Sequence, residues 1–159
     1  MKAEIELVED FKDMFKEFNK QGVKYVLVGG LATILYGYQR LTQDLDLFIL
    51  ANSQNAELVM KALIKYGAPM EMVSKEDFEK EGTTFQMGVK PNRIDILTAI
   101  SGIKFDEVYK NAIDVEVDEL EFKMISIEDL IKNKLASGRK RDLDDVENLE
   151  EILLRRKGL

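Results

Sequence analysis

The sequence predicts one α/β (α+β) domain in which helices flank a mixed β-sheet. Helical and strand-like stretches alternate in the first half of the chain, short alternating strands follow, and two helical stretches come last. The 159 residues are an ordinary length for one domain, and no Ser/Gly-rich tract marks a linker. We therefore expect a single domain over residues 1–159, with its core at about 24–100 and C-terminal helices at about 126–157.

The first predicted element is an amphipathic helix. Its apolar residues recur at spacings of three and four, with charged residues between them: Ile5, Val8, Phe11, Phe15 and Phe18. The helix should end near Gln21-Gly22, because glycine readily adopts the left-handed conformation that stops a helix.

The next four elements alternate between strand and helix. Residues 25–28 form a short apolar run and predict a strand, residues 31–38 a short helix, and residues 44–50 a second strand. Asn52-Ser53 can cap a helix that runs to about Tyr66 and is closed by the glycine after it.

The second half of the chain predicts further strands and then two helices. The strands are expected at residues 83–89, 93–98, 112–117 and 121–124, with a turn at 90–92 joining the first two. Ser126, followed by acidic residues, predicts a helix over 127–137. After Gly138 a last helix is expected over 142–156.

Composition excludes several kinds of chemistry. The chain has no Cys and no His, so any catalysis must use carboxylates, lysines, hydroxyls or a hard metal bound through oxygen. A net charge of −7 disfavours general binding to nucleic acid or to an anionic membrane. The first residues do not resemble a signal peptide and no apolar run is long enough to span a membrane, so we expect a cytoplasmic protein without a membrane partner.

The strongest chemical motif is Asp44-Leu45-Asp46-Leu47. Successive side chains of a strand point to opposite faces, so Asp44 and Asp46 should project from one face and the leucines from the other. Two carboxylates this close repel each other, and a divalent cation such as Mg²⁺ would compensate them. The alternative is an exposed strand face with two solvated aspartates, and for the pair alone this alternative is favoured.

Residues before this motif are suited to binding an anion. Gly29-Gly30 follows a strand and begins a helix, where backbone amides can approach a triphosphate, although a tight turn alone would also require glycine. Arg40 and Thr42 precede the acids and could contact phosphate oxygens. Equally, Arg40 could pair with Asp44, and Thr42 could simply begin the strand.

Asp95 is a third acid, within the apolar strand Arg93-Ile94-Asp95-Ile96-Leu97. Burying an unpaired aspartate is costly, so Asp95 needs a partner. If its strand lies beside that of Asp44 and Asp46, three carboxylates meet on one sheet face, as a two-metal phosphoryl-transfer site requires. The alternative is an ion pair between Asp95 and Arg93.

Taken together, these motifs resemble the DNA polymerase beta-like nucleotidyltransferase superfamily. The similarity rests on Val28-Gly29-Gly30, on Arg40-x-Thr42-x-Asp44-Leu45-Asp46-Leu47 and on Asp95 in an apolar strand, and it extends over residues 24–150. It is greatest to the small prokaryotic AbiEii-like, minimal nucleotidyltransferases. The resemblance implies a nucleotidyltransferase-like mixed sheet flanked by helices.

The resemblance also implies roles for individual residues. Asp44, Asp46 and Asp95 would be catalytic and would hold Mg²⁺ or Mn²⁺, and Asp95 could help to deprotonate the acceptor. The residues implied in nucleotide and phosphate binding are Gly29, Gly30, Arg40, Thr42 and Lys134. Arg139 or Lys140 is a less certain phosphate contact, and for residues 139–141 a solvated helix boundary is slightly favoured.

Two functions from different classes are consistent with this sequence. The first is a Mg²⁺-dependent nucleotidyltransferase that moves NMP from an NTP, with ATP the expected nucleotide, to the hydroxyl of a tRNA end, a partner protein or a small molecule. The second is a non-catalytic, antitoxin-like module that binds nucleotide or a partner. Retention of all three acids favours the enzyme. The oligomeric state is open and could be a homo-oligomer.

Overall fold

The computed structural model of the protein describes residues 1–38, 42, 44–89 and 92–158. Among these residues the strands are β1 (Lys2–Ala3), β2 (Tyr25–Val28), β3 (Asp44–Ile49), β4 (Thr84–Met87), β5 (Arg93–Leu97), β6 (Ile113–Val117) and β7 (Leu120–Met124). The α-helices are α1 (Glu9–Gln21), α2 (Gly29–Leu35), α3 (Ser53–Tyr66), α4 (Phe105–Asn111), α5 (Ile127–Ser137) and α6 (Lys140–Arg156). None of these helices is both long enough and apolar enough to cross a bilayer.

The seven strands form one mixed sheet in the order β1-β6-β7-β2-β3-β5-β4. The β2–β3, β4–β5 and β6–β7 pairs are antiparallel, whereas β3–β5, β2–β7 and β1–β6 are parallel. With helices packed against this sheet, the predicted fold class, a single domain with a mixed sheet flanked by helices, is confirmed.

One face of the sheet is covered by α1, which also packs on α3. Phe15 of α1 stacks on Phe122, with ring centroids 4.3 Å apart, and Phe18 contacts Tyr25 edge-on. Tyr25 lies opposite Ile49 in the β2–β3 ladder, so the odd-numbered residues of β3 face these helices. The even-numbered residues, including Asp44 and Asp46, therefore project from the other face.

Asn55 joins the start of β2 to the end of β3. Its side chain accepts from the backbone N–H of Lys24 at 2.8 Å and donates to the carbonyls of Lys24 and Leu50. All three bonds are made by a side chain that is 4% exposed. They help to fix the pairing that brings the end of β2 beside Asp46.

Several predicted elements begin or end at the expected residue, and a few differ. Strand β2, helix α3 with Asn52 as its cap, and helix α5 with Ser126 as its cap match the prediction. Helix α1 begins only at Glu9, so both Ile5 and Val8 precede it. Helix α6 begins at Lys140, two residues early. The predicted turn at 90–92 lies partly outside the described residues.

Strand β1 and helix α4 are among the elements that were not predicted. Strand β1 has only two residues, too few for any periodicity to be visible. Helix α4 has seven residues, and its N-cap, Lys104, makes no side-chain capping bond, so the usual start signal is missing. Its helical state depends on packing: Phe105 contacts Phe48 with centroids 5.2 Å apart.

Candidate active site

A cleft of about 400 Å³ lies between the face of the sheet opposite α1 and the two C-terminal helices. Its sheet wall includes residues of β3, β4 and β5, and its opposite wall comes from α5 and the first turn of α6. The start of α2 closes one side. The predicted site residues among its lining are Gly29, Gly30, Thr42, Asp44, Asp46, Asp95 and Lys134.

The register of β3 and β5 brings the three acids together. Asp46 lies directly beside Asp95, and Asp44 lies beside Arg93. Paired positions of neighbouring strands project from the same face of a sheet, so all four side chains point into the cleft. The convergence expected if these strands were neighbours is therefore present.

Arg93 lies within this group of acids. Its Nη2 donates to Asp44 Oδ2 at 2.9 Å and to Asp95 Oδ2 at 3.3 Å, and its Nε donates to Asp95 Oδ1 at 3.1 Å. The ion pair between Arg93 and Asp95, one of the two alternatives for Asp95, thus exists in a site that also contains the other two acids.

The carboxyl group of Asp46 keeps its proton to a much higher pH than an ordinary aspartate does. Burial raises its pKa most strongly, and the negative charges of Asp95 and Asp44 raise it further. The pKa is about 7 instead of 3.8, in spite of the opposing charge of Arg93. The part of this shift that comes from Asp95 and Asp44 reflects negative charge at the site that Arg93 does not neutralise.

The acids suit a hard divalent metal ion. Asp44 Oδ1 is buried and has no hydrogen-bond partner among the described residues, so one carboxylate oxygen is left for a ligand. Carboxylate oxygens are the donors that Mg²⁺ and Mn²⁺ prefer. Within the described part of the chain no three acids already form a ready-made metal site; the guanidinium of Arg93 lies between Asp44 and Asp95.

Gly29 is required by the position of Asp46. Its φ is +75°, and a Cβ atom there would stand 2.1 Å from Asp46 Oδ2, 2.8 Å from Cγ and 3.0 Å from Cβ. Rotation of the carboxyl group could not relieve all three overlaps. The glycine therefore lets the end of β2 lie directly against the acid.

Substituting Gly29 by Ala should destabilise the protein more than the same change at Gly22. Gly22 has nearly the same φ, +74°, but an added Cβ there meets nothing within 4 Å. Both changes incur the left-handed penalty of roughly 1–2 kcal/mol. The overlap with Asp46 should add about 1–3 kcal/mol. Urea unfolding of the two variants measures the difference, and equal losses would contradict this account of Gly29.

The helical wall contains a buried network of charges around Lys134. This lysine is 4% exposed, and its Nζ donates to Asp145 at 2.9 Å and to Asp142 at 3.3 Å. Two of the three ammonium protons are used in this way, and the side chain still lines the cleft. The network joins α5 to α6 and holds Lys134 in place.

Asp142 also fixes the junction of these helices. It accepts from the hydroxyl of Ser137 and from Nε of Arg139, the latter at 2.7 Å. Burial by itself would raise the pKa of Asp142, but these hydrogen bonds and the charge of Lys134 outweigh burial and lower it. The side chain of Arg139 is largely exposed, which agrees with the predicted solvated helix boundary, and it also lines the cleft.

Two of the predicted phosphate contacts precede β3. Thr42 lines the cleft, and its hydroxyl lies 3.4 Å from the backbone of Asp44. Arg40 lies outside the described residues.

Sequence reasoning missed the central position of Arg93 and the pairing of Lys134. Arg93 was considered only as a partner of Asp95, because its contact with Asp44 depends on the pairing of two strands 49 positions apart. For Lys134, the spacing to Asp142 and Asp145 crosses a helix boundary. The signal that could have predicted this pairing is that Asp142 and Asp145 are three residues apart near the start of α6, and so lie on one face of that helix.

A glycine pair after one strand, an Asp-x-Asp pair on its neighbour and a third Asp on the strand beyond form the arrangement that the resemblance to nucleotidyltransferases predicts. The chain belongs to the family described as nucleotidyl transferase of unknown function (DUF2204), whose model matches residues 7–159. The expected class is thereby confirmed, while the AbiEii-like subgroup stays a prediction.

Two solved structures share the fold. TM1012 from Thermotoga maritima, provisionally described as a nucleotidyltransferase, has a TM-score of 0.59 and 14% identity over 91% of both chains. The lincosamide antibiotic adenylyltransferase LnuA, solved with lincomycin, also has a TM-score of 0.59, with 17% identity over 93% of this chain and 99% of its own. No curated protein sequence matches the chain significantly. At these identities the structures show a common fold.

Proposed function

We propose that this protein is a Mg²⁺- or Mn²⁺-dependent enzyme that transfers NMP from an NTP, with ATP the expected nucleotide, to a hydroxyl group. The observation that carries the proposal is the meeting of Asp44, Asp46 and Asp95 on one wall of a cleft. Two observations support a site made for added positive charge: a buried oxygen of Asp44 that has no hydrogen-bond partner within the described part of the chain, and the raised pKa of Asp46.

Each residue has a proposed role in this reaction. Asp44, Asp46 and Asp95 would hold the metal, which when bound supplies charge neutralisation for the transferring phosphoryl group. Glycines 29 and 30 would let backbone amides approach the triphosphate. Arg40, Thr42 and Lys134 would donate to its oxygens.

The proposed transfer is a single displacement at the α-phosphorus. The acceptor oxygen bonds to this phosphorus, the bond to the bridging oxygen of the β-phosphate breaks, and pyrophosphate leaves. The hydroxyl proton passes to the carboxylate of Asp95. This residue lies on β5, the strand between β3 and β4. The cleft positions the reactants, so neither His nor Cys is needed.

Likeness to LnuA supports a small molecule as the acceptor, because that protein is an adenylyltransferase of an antibiotic. A tRNA end or a hydroxyl of a partner protein would require the same chemistry at the α-phosphorus. The acceptor class is therefore the part of the proposal that an assay must decide.

The test is transfer of label from each α-³²P-labelled NTP in Mg²⁺ or Mn²⁺. Total tRNA, extract proteins and an extract's small-molecule fraction are offered separately as acceptors. We expect label from ATP to move onto one of them and transfer to be lost in Asp46→Asn. A protein that neither transfers label nor binds ATP with metal would contradict the enzyme and favour the non-catalytic alternative, in the form of a module that binds a partner.

A further inference from the structure

Arg93 occupies an unusual place for a strand arginine. Its guanidinium makes three hydrogen bonds to two carboxylates of the candidate metal site, at 2.9, 3.1 and 3.3 Å. The side chain is 27% exposed, whereas those of Asp44 and Asp95 are 18% and 8% exposed. One end of this contact is thus buried, while the arginine itself remains open to the cleft.

The acids need this cation when no metal is bound. Three carboxylates on adjacent strands repel one another, and removing a buried acid's only partner is strongly destabilising. Among the described residues, the other two cations with known partners in the cleft, Lys134 and Arg139, are directed to Asp142 and Asp145. Arg93 is therefore a cation of the described residues that contacts both Asp44 and Asp95.

A metal ion would need the same oxygens. Oδ2 of Asp44 and both oxygens of Asp95 already accept from Arg93, whereas Oδ1 of Asp44 has no hydrogen-bond partner among the described residues. A guanidinium and a divalent cation cannot both have these carboxylates as close ligands, because two cations at one point repel each other.

We propose that Arg93 is a displaceable counter-ion, which neutralises Asp44 and Asp95 in the metal-free protein and leaves them when a divalent cation binds. This inference rests on the proposed metal-dependent function. Displacement releases both oxygens of Asp95 from Arg93, so that one can hold the metal while the other accepts the acceptor's proton. It also leaves a guanidinium at the cleft wall that can donate to an anionic group of the substrate.

The test compares Mn²⁺ binding to Arg93→Gln with binding to Arg155→Gln after both are stripped with EDTA. Arg155 pairs with Glu151 on the exposed surface of α6, so its loss changes the net charge equally without touching the acids. Isothermal titration with Mn²⁺ should give a Kd lower by on the order of tenfold for Arg93→Gln than for Arg155→Gln, because a competing cation is gone. Metal-free Arg93→Gln should also have the lower Tm, and Mn²⁺ should remove this deficit.

A second measurement follows the wild-type chain and needs the conservative variant Arg93→Lys only to assign one resonance. In a ¹⁵N-labelled sample the Nε–H resonance of Arg93, identified by its absence in Arg93→Lys, should shift when Mg²⁺ is added. The Nε–H resonance of Arg155 should stay in place.

The outcomes separate this inference from the function beneath it. Suppose that the wild-type protein binds Mn²⁺. If Arg93→Gln then binds Mn²⁺ no tighter than Arg155→Gln does, or if the Arg93 resonance does not shift with Mg²⁺, the counter-ion role is wrong and the metal site stands. If wild-type protein binds no Mn²⁺ even with ATP present, both proposals fail.

Discussion

Asp46→Asn should abolish nucleotidyl transfer, with a loss of roughly a thousandfold or more, which corresponds to about 4 kcal/mol of transition-state stabilisation. The substitution keeps the shape of the side chain but removes one charge from the acids that lie together across β3 and β5. A neutral amide is a poor ligand for Mg²⁺. Release of pyrophosphate and movement of α-label measure the effect, and the apparent Mg²⁺ requirement should rise with it.

Asp114→Asn is the matched control for this substitution. Asp114 is an exposed acid on β6, paired with Lys123 away from the cleft, so its loss removes the same charge without touching the site. It should retain full transfer. Loss of a metal ligand should raise the activation barrier by several kcal/mol. If Asp46→Asn kept more than about a tenth of the wild-type activity, Asp46 would therefore not be a metal ligand.

The metal-free protein should lose stability as the pH rises from about 4 to about 7. Because the folded-state pKa of Asp46 is about 7 and its ordinary value is 3.8, the folded state holds a proton that the unfolded chain has already released. The contribution is fully present below pH 4 and is lost as the pH rises through the folded-state pKa. The free energy of unfolding should fall by roughly 1 kcal/mol per pH unit within this window.

Urea unfolding in EDTA at several pH values isolates this effect when Asp46→Asn is compared with the wild type. The two proteins should be equally stable near pH 4, and the variant should become the more stable one up to pH 7, with a constant difference above. Asp114→Asn should show no such trend. A difference between Asp46→Asn and wild type that does not depend on pH would contradict the raised pKa.

These two predictions describe one arrangement from two sides. The negative charge of Asp46 destabilises the metal-free fold, and the proposed reaction uses the same charge to bind the metal. Asp46→Asn should therefore raise the free energy of unfolding at pH 8 and remove activity. Added Mg²⁺ should stabilise the wild type at that pH and have little effect on Asp46→Asn. Stability exchanged for function in this way is common at active sites.

Local patterns in the sequence determined most of the elements and the partition of the acids between faces. Alternation along residues 44–47 suffices to place Asp44 and Asp46 together, since neighbouring side chains of a strand must point apart. Caps such as Asn52 and Ser126 mark helix starts through bonds to amides three residues away. Such contacts are nearly adjacent in sequence, so a single chain reveals them.

Only the tertiary structure decided which distant side chains touch. The parallel pairing of β3 with β5 puts Asp95 beside Asp46 and Arg93 beside Asp44, and a register shifted by one residue would have turned Asp95 to the other face. The turn between α5 and α6 likewise directs Lys134 to Asp142 and Asp145. Long-range register depends on the packing of the whole core, which no local pattern encodes.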